Sequence, residues 1–422
     1  MKKFKLILLC CFPLLGKAQS LSIETLWEQA RQFQKYRQQQ LQVSMRETER
    51  TIALRDRLPV FWGDGNLQRN LIIPTTPVPA IAFDPNAGGD EILPLKFATK
   101  WTSKAGLQLQ WNLFDPARKP SIKEKEIALE KAKLELAQTL EDWQEKATLA
   151  YASVVLATHQ YNLSREDSIT YAAVLEISRE RLQAGRESSY EYNNALQEME
   201  RKKLQLSEAW SVLVDAHLEL KKYISLDSVV QLSSDIATIK SFLKSRQANQ
   251  YELKILQLED QLAELQISSV KRGLLPSVTF NGYYGTQFYS NSFNLFNSDR
   301  WYGNSYANIA LRLPISDLIW STPQLKKQQL NRQFSSLRLE EQAELDSISR
   351  QQTLNKILRA EKQIEHRKKI AGLALENRQN LEESYKAGRL LLSEYNKAAS
   401  AYIKAMQDLW QAEYNWIEAY FQ

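Results

Sequence analysis

The sequence predicts a mainly α-helical chain with a smaller β portion, built as a tandem repeat of long helices and two β-hairpins. Three observations lead there. Prolines cluster in two tracts, alternating apolar and polar residues fill those same tracts, and a set of residues around two glycines recurs at fixed spacing.

Beyond the N-terminal segment, prolines stand at positions 59, 74, 77, 79, 85, 94, 116 and 120, then at 276, 314 and 323. None lies between Ser121 and Leu275, or after Pro323. Proline inside a helix costs ~3 kcal/mol or more, so the two proline-free tracts suit long helices. They are rich in the good helix formers Leu, Ala, Glu, Gln, Lys and Arg. From Lys123 to Trp143 the apolar residues fall at helical spacing.

The proline-bearing tracts read as strands. Leu107, Leu109, Trp111 and Leu113 alternate with Gln108, Gln110 and Asn112, and Ala307, Ile309, Leu311 and Leu313 alternate with Asn308, Ala310 and Arg312. Val278, Phe280 and Tyr284 alternate with Ser277, Thr279 and Asn281, and a weaker alternation runs from Phe61 to Gln68. One apolar and one polar face suits a soluble sheet or a lipid-facing barrel wall. Residues 70–100 and 290–303 read as surface loops at the hairpin tips.

The repeat orders these pieces. Ala184, Gly185, Arg186, Glu191, Tyr192, Asn193 and Ala195 recur as Ala387, Gly388, Arg389, Glu394, Tyr395, Asn396 and Ala398, at an offset of 203 residues. The expected order is a signal segment at 1–18, an upper helix at 19–57 and a hairpin at 58–115. A long helix pair at 116–223 follows, turning near 185, then a linker at 224–240. The second half repeats the plan with an upper helix at 241–273, a hairpin at 274–317 and a helix pair at 318–422, turning near 388. Each outgoing helix spans on the order of 100 Å at ~1.5 Å rise per residue.

The first residues read as a secretory signal: Lys2, Lys3 and Lys5, an apolar run from Leu6 to Leu15, and the small-x-small pattern Gly16-Lys17-Ala18 before Gln19. Lipidation at Cys10 or Cys11 is disfavoured by the bulky Leu8 and Leu9 in front of them. Removing the signal takes away both cysteines, and with them any disulfide or thiolate chemistry. It also takes four of the charges behind the formal +6, because it holds four lysines and no acid. The basic balance then gives no support to nucleic-acid binding. His159, His217 and His366 form no metal-binding or acid–base motif, and no phosphate-binding glycine loop occurs. Catalytic, cofactor and metal sites are therefore not expected.

About four strands are too few to close a barrel, and open strand edges do not face lipid. Hairpins that enter a membrane would have to share one barrel between copies. The NQYELK run from Asn249, the VKRGLLPSVTF run from Val270 and the two Ala-Gly-Arg turns resemble the outer-membrane efflux protein family of the TolC type. That resemblance covers nearly the whole chain after the signal. It implies a homotrimer with a twelve-stranded transmembrane β-barrel continued by a periplasmic α-barrel, in the outer membrane of a Gram-negative bacterium. It further implies a passive exit duct for efflux or type I secretion. By the same resemblance, a periplasmic adaptor (membrane fusion) protein would dock at the helix tips and link the duct to an inner-membrane pump, and outer-membrane lipid would surround the barrel.

By the same resemblance Gly185, Arg186, Gly388 and Arg389 mark the adaptor-docking tip, and Arg389, Glu394, Glu191 and Arg186 are candidates for the entrance constriction. Simpler roles stand beside these. The glycines end helices, the arginines complement helix-end dipoles and the glutamates favour helix starts. The family places a second acid one turn beyond the Glu394 position, where this chain has Lys397, so a cation-selective ring is not implied. Trp62, Trp101, Trp111, Tyr283, Trp301 and Trp320 are read either as interfacial girdle residues or as ordinary packing. A secreted structural coiled-coil protein, a stalk or adhesin, is the competing reading; sustained heptads without hairpins would favour it.

Overall fold

The computed structural model describes residues 20–224, 231–245 and 250–421. The expected signal segment at 1–18, Gln19, residues 225–230 of the expected linker, residues 246–249 of the expected second upper helix and Gln422 lie outside the described residues. In chain order the elements are β1 (Ser20–Leu21), α1 (Ile23–Gln29), α2 (Gln34–Arg55), β2 (Val60–Arg69), β3 (Thr76–Pro79), β4 (Ile92–Leu95) and β5 (Trp101–Phe114). The helices α3 (Arg118–Gln183) and α4 (Ser189–Lys221) follow, then β6 (Gln231–Leu232), α5 (Ile236–Lys244) and α6 (Tyr251–Gly273). β7 (Ser277–Ser290), β8 (Trp301–Arg312), α7 (Ile315–Lys386) and α8 (Leu392–Phe421) complete the chain. Two compact units result: a sheet unit of residues 42–132 and 255–339, and a helical unit holding the rest.

In the sheet unit, four strands pair in the order β2-β5-β7-β8, every neighbour antiparallel. The register sorts side chains by face, because directly opposed residues share one side. Phe61 lies opposite Leu109, Leu107 opposite Tyr284, Trp111 opposite Phe280, Phe280 opposite Ile309, and Val278 opposite Leu311. These make one apolar face. Gln110 lies opposite Asn281, Asn112 opposite Thr279, Asn281 opposite Asn308, and Ser277 opposite Arg312. These make a polar face. The helix segments of this unit are joined by ion pairs, Lys125 to Glu49 at 3.1 Å, Lys131 to Glu259 at 2.6 Å and Arg338 to Glu259 at 3.4 Å.

The helical unit is built on a core of Ile23, Leu26, Tyr151, Ile239, Leu243, Trp416 and their neighbours. β1 and β6 pair in parallel, and the buried Tyr151 hydroxyl ties them down. It donates to the Leu21 carbonyl at 2.8 Å and accepts from the Ser234 N–H at 2.9 Å. The Trp27 indole N–H donates to Thr148 at 2.9 Å.

Several expectations need correction. The helix expected over 19–57 is broken at Phe33, whose backbone is extended at φ -70, ψ 141 after a 3-10 turn at Ala30–Gln32. Its ring packs with Trp143 at 5.9 Å and Tyr223 at 6.5 Å, so tertiary packing overrides helix continuity. The boundary drawn between 240 and 241 falls inside α5, which starts early because Asp235 caps it, accepting from the Thr238 N–H at 2.8 Å. The first loop carries its own small hairpin, β3 with β4. Leu313 falls one residue beyond the end of β8.

Candidate functional site at the paired helix turns

Gly185 has φ 69 and Gly388 φ 73, the left-handed region that favours glycine. Each closes its helix in the same way. The Arg186 N–H donates to the Arg181 carbonyl at 2.8 Å and the Gly185 N–H to Leu182 at 3.0 Å. Two hundred and three residues on, the Arg389 N–H donates to Ser384 at 3.0 Å and the Gly388 N–H to Tyr385 at 2.9 Å. Both are Schellman endings, in which the two bonds satisfy carbonyls that the helix itself cannot. The following arginines are exposed, and neither forms an ion pair among the described residues.

The helices that return from the turns start differently. Ser188 caps α4: its hydroxyl accepts from the Glu191 N–H at 3.2 Å while the Glu191 carboxylate accepts from the Ser188 N–H at 3.1 Å. Glu191 is thus committed to a capping box. In the second turn the cap position holds Leu391, which has no side-chain acceptor, and Glu394 remains exposed. The repeat gives both glutamates the same place, but only Glu394 is left for another partner.

The turns sit on a shared core of Tyr171, Val174, Ala195, Tyr385, Leu392 and Tyr395. Arg181 of α3 reaches across, its guanidinium donating to the Tyr385 carbonyl and lying 4.5 Å from that ring's centroid. Tyr385 stacks on Tyr395 at 6.0 Å. Burial pushes the Tyr395 hydroxyl up to about 12 and raises Tyr171 too, so both stay neutral. Between α4 and α8 runs a groove of about 770 Å³ lined by Glu191, Glu198, Arg201, Lys397 and Lys404 among others.

No protein-family model matches the sequence, and no curated protein matches it either. Solved structures do match by shape. CusC, described for its folding and transmembrane channel formation, is 15% identical at a TM-score of 0.75, with 94% of this chain and 90% of that one covered. The outer-membrane protein VceC of Vibrio cholerae is 12% identical at 0.70, covering 94% of each chain. The open state of the Neisseria gonorrhoeae outer-membrane channel MtrE is 15% identical at 0.70, covering 94% and 87%. The fold is that of the TolC-type outer-membrane channels.

Within this channel fold, the sequence reading overlooked the most deeply buried charges near the turns. Lys202 of α4 lies 2.9 Å from Asp167 of α3, with side chains only 2% and 3% exposed. Glu198 stands 3.5 Å from Lys202, and Arg378 of α7 stands 3.7 Å from the other oxygen of Asp167. Asp167 therefore links both repeats. None of the three charges has a charged counterpart in the other repeat: at the 203-residue offset, Asp167 is matched by Ile370, Lys202 by Ala405 and Arg378 by Leu175. A search for conserved repeat positions passes over them. A search for charges set against apolar counterparts would have found them.

The register also sorts the aromatic residues of the sheet by face. Trp101, Trp111 and Trp301 lie on the apolar face, where Trp101 packs on Phe293 at 4.7 Å and Trp301 on Phe288 at 5.4 Å. Trp62 and Tyr283 lie on the polar face, opposite Gln108 on either side. One residue of slip along a strand inverts the facing, and aromatic character alone does not reveal it.

Proposed function

We propose that the chain is one third of a trimeric outer-membrane exit duct, a passive conduit for efflux or type I secretion and not an enzyme. The observation that carries this reading is the four-stranded sheet with one apolar face, one polar face and edge strands β2 and β8. Such a sheet cannot stand alone in lipid, because unpaired backbone groups in hydrocarbon cost several kcal/mol each. Pairing β8 of one copy with β2 of the next removes every edge, and three copies supply twelve strands around a polar lumen. The exposed Leu107, Ile309 and Leu311 then meet lipid. A secreted coiled-coil stalk has no use for such a sheet.

In this reading the protein sits in the outer membrane of a Gram-negative cell, and its helices extend into the periplasm. The glycine turns and the groove between α4 and α8 receive a periplasmic adaptor, which links the duct to an inner-membrane pump that supplies the energy. Arg389, Arg186 and Glu394 meet their counterparts from the other copies at the entrance. Exposed ion pairs contribute only ~0–1 kcal/mol each, which suits a gate that adaptor binding has to open. Replacing Arg389 with Ser is expected to raise the conductance of purified protein in planar bilayers. Adding Arg186→Ser raises it further, more at high salt, where remaining pairs are screened. Both variants remain trimeric. Trimeric variants that conduct like the parent would leave the arginines as surface charges.

A further inference from the structure

Gly106 of β5 and Gly285 of β7 face each other directly in the ladder, on the polar side of the sheet. A side chain has no room at either. A Cβ at Gly285 would lie 2.4 Å from the Ala105 carbonyl oxygen and 2.6 Å from the Gly106 Cα. One at Gly106 would lie 2.7 Å from the Tyr284 carbonyl oxygen and 2.6 Å from the Tyr283 hydroxyl. Three of the six nearest atoms at the two glycines are backbone, so the strands themselves approach each other on this side, and the other three belong to the Tyr283 side chain. Gly282, three residues before Gly285, has its missing Cβ on the apolar side. There the nearest atoms, of Leu109 and Phe280, stand at 3.7 Å, an ordinary contact.

The space left by the glycines is filled by one ring. Tyr283 lies over the pair and is 3% exposed. The Lys104 ammonium stands 4.2 Å from the ring centroid and pairs with Asp64 at 3.0 Å. Gln108 donates to the same Asp64 carboxylate at 3.2 Å, and Tyr306 stacks on Tyr283 at 5.8 Å. The contacts cross all four strands, with Asp64 on β2, Lys104 and Gln108 on β5, Tyr283 on β7 and Tyr306 on β8.

We propose that Gly106, Gly285 and Tyr283 form the corner that bends the sheet toward its polar face, and so decide which face becomes the inside of the closed barrel. Glycine within a strand marks tight bends at barrel corners, and curvature in sheets is introduced by glycine kinks and bulges, with an aromatic ring covering the glycine. β5 also carries an irregularity between Asn112 and Phe114, a second bend on the same strand. The glycine pair brings the strands together on the polar side, and Tyr283 lies flat in the seat instead of projecting into the lumen. The Lys104–Asp64 pair pins the ring there. Tyr283, Lys104 and Asp64 are positioning residues of the wall.

This inference rests on the channel reading, and a series of single substitutions separates the two. Gly285→Ala and Gly106→Ala should each lower the yield of assembled trimer at least tenfold, read by light scattering of detergent-extracted protein. Gly282→Ala should assemble like the parent, although it makes the same chemical change on the same strand. Tyr283→Phe should also match the parent, because the hydroxyl has no partner among the described residues. Tyr283→Ala should assemble less and, where assembled, give a shifted single-channel conductance. A parent that is itself no membrane trimer would refute the channel reading. A trimeric parent with equally trimeric Gly285→Ala and Gly106→Ala variants would refute the corner, and so would a Gly282→Ala variant as damaged as Gly285→Ala.

Discussion

Replacing Asp167 with alanine is expected to destabilise the helical unit by about 3–5 kcal/mol, the usual effect of removing one partner from a buried ion pair. The magnitude follows from what remains. The Lys202 side chain, 2% exposed, would lose the oxygen at 2.9 Å, and Arg378, 10% exposed, would lose the one at 3.7 Å. Glu198 is farther from Lys202, at 3.5 Å, and does not replace the lost carboxylate. Urea unfolding followed by circular dichroism reads the loss. Removing the three most buried charges, by Asp167→Leu, Lys202→Met and Arg378→Met together, should recover most of it, because Glu198 keeps its pair with Arg201 at 3.1 Å and no charge is then left without a partner. A loss under about 1 kcal/mol for Asp167→Ala would show that water reaches the cluster.

The second large effect is set by depth in the sheet. Leu107 lies in the middle of β5 on the apolar face and is 61% exposed. Leu107→Arg should cost ~2–4 kcal/mol in a lipid-facing barrel wall, and arginine near the interface only ~0–1 kcal/mol. Leu311 is the second-last residue of β8, so Leu311→Arg belongs to the shallow class. Gln110→Arg, on the polar face opposite Asn281, should be tolerated. Refolding titrations into lipid vesicles measure all three. Equal losses at Leu107 and Gln110 would mean that the two faces do not meet different solvents.

Much of the fold is legible in the sequence because local physics dictates it. Left-handed φ at Gly185 and Gly388 is written in residue type, and the alternation from Leu107 to Asn112 places one face of β5 without any structure, whereas the register shift beyond Asn112 takes Leu113 out of it. What the sequence hides depends on distant residues. Lys202 lies in the run Arg201-Lys202-Lys203, which reads as a solvated face, yet it is buried because Asp167 of another helix waits opposite. Glu191 and Glu394 look equivalent until the residue three places earlier is weighed, Ser188 in one turn and Leu391 in the other. Phe33 breaks a helix for the sake of Trp143 and Tyr223, which lie far along the chain. The seat at Gly106 and Gly285 needs the register between β5 and β7, which composition does not supply.

The central claim is that three chains close one barrel by joining β8 of each to β2 of the next. Light scattering of protein extracted from outer membranes in detergent, corrected for bound detergent, tests it most directly. The mass predicted is that of three chains, with channel activity in planar bilayers residing in the same fraction. A stable, soluble monomer recovered from the periplasm would contradict the account.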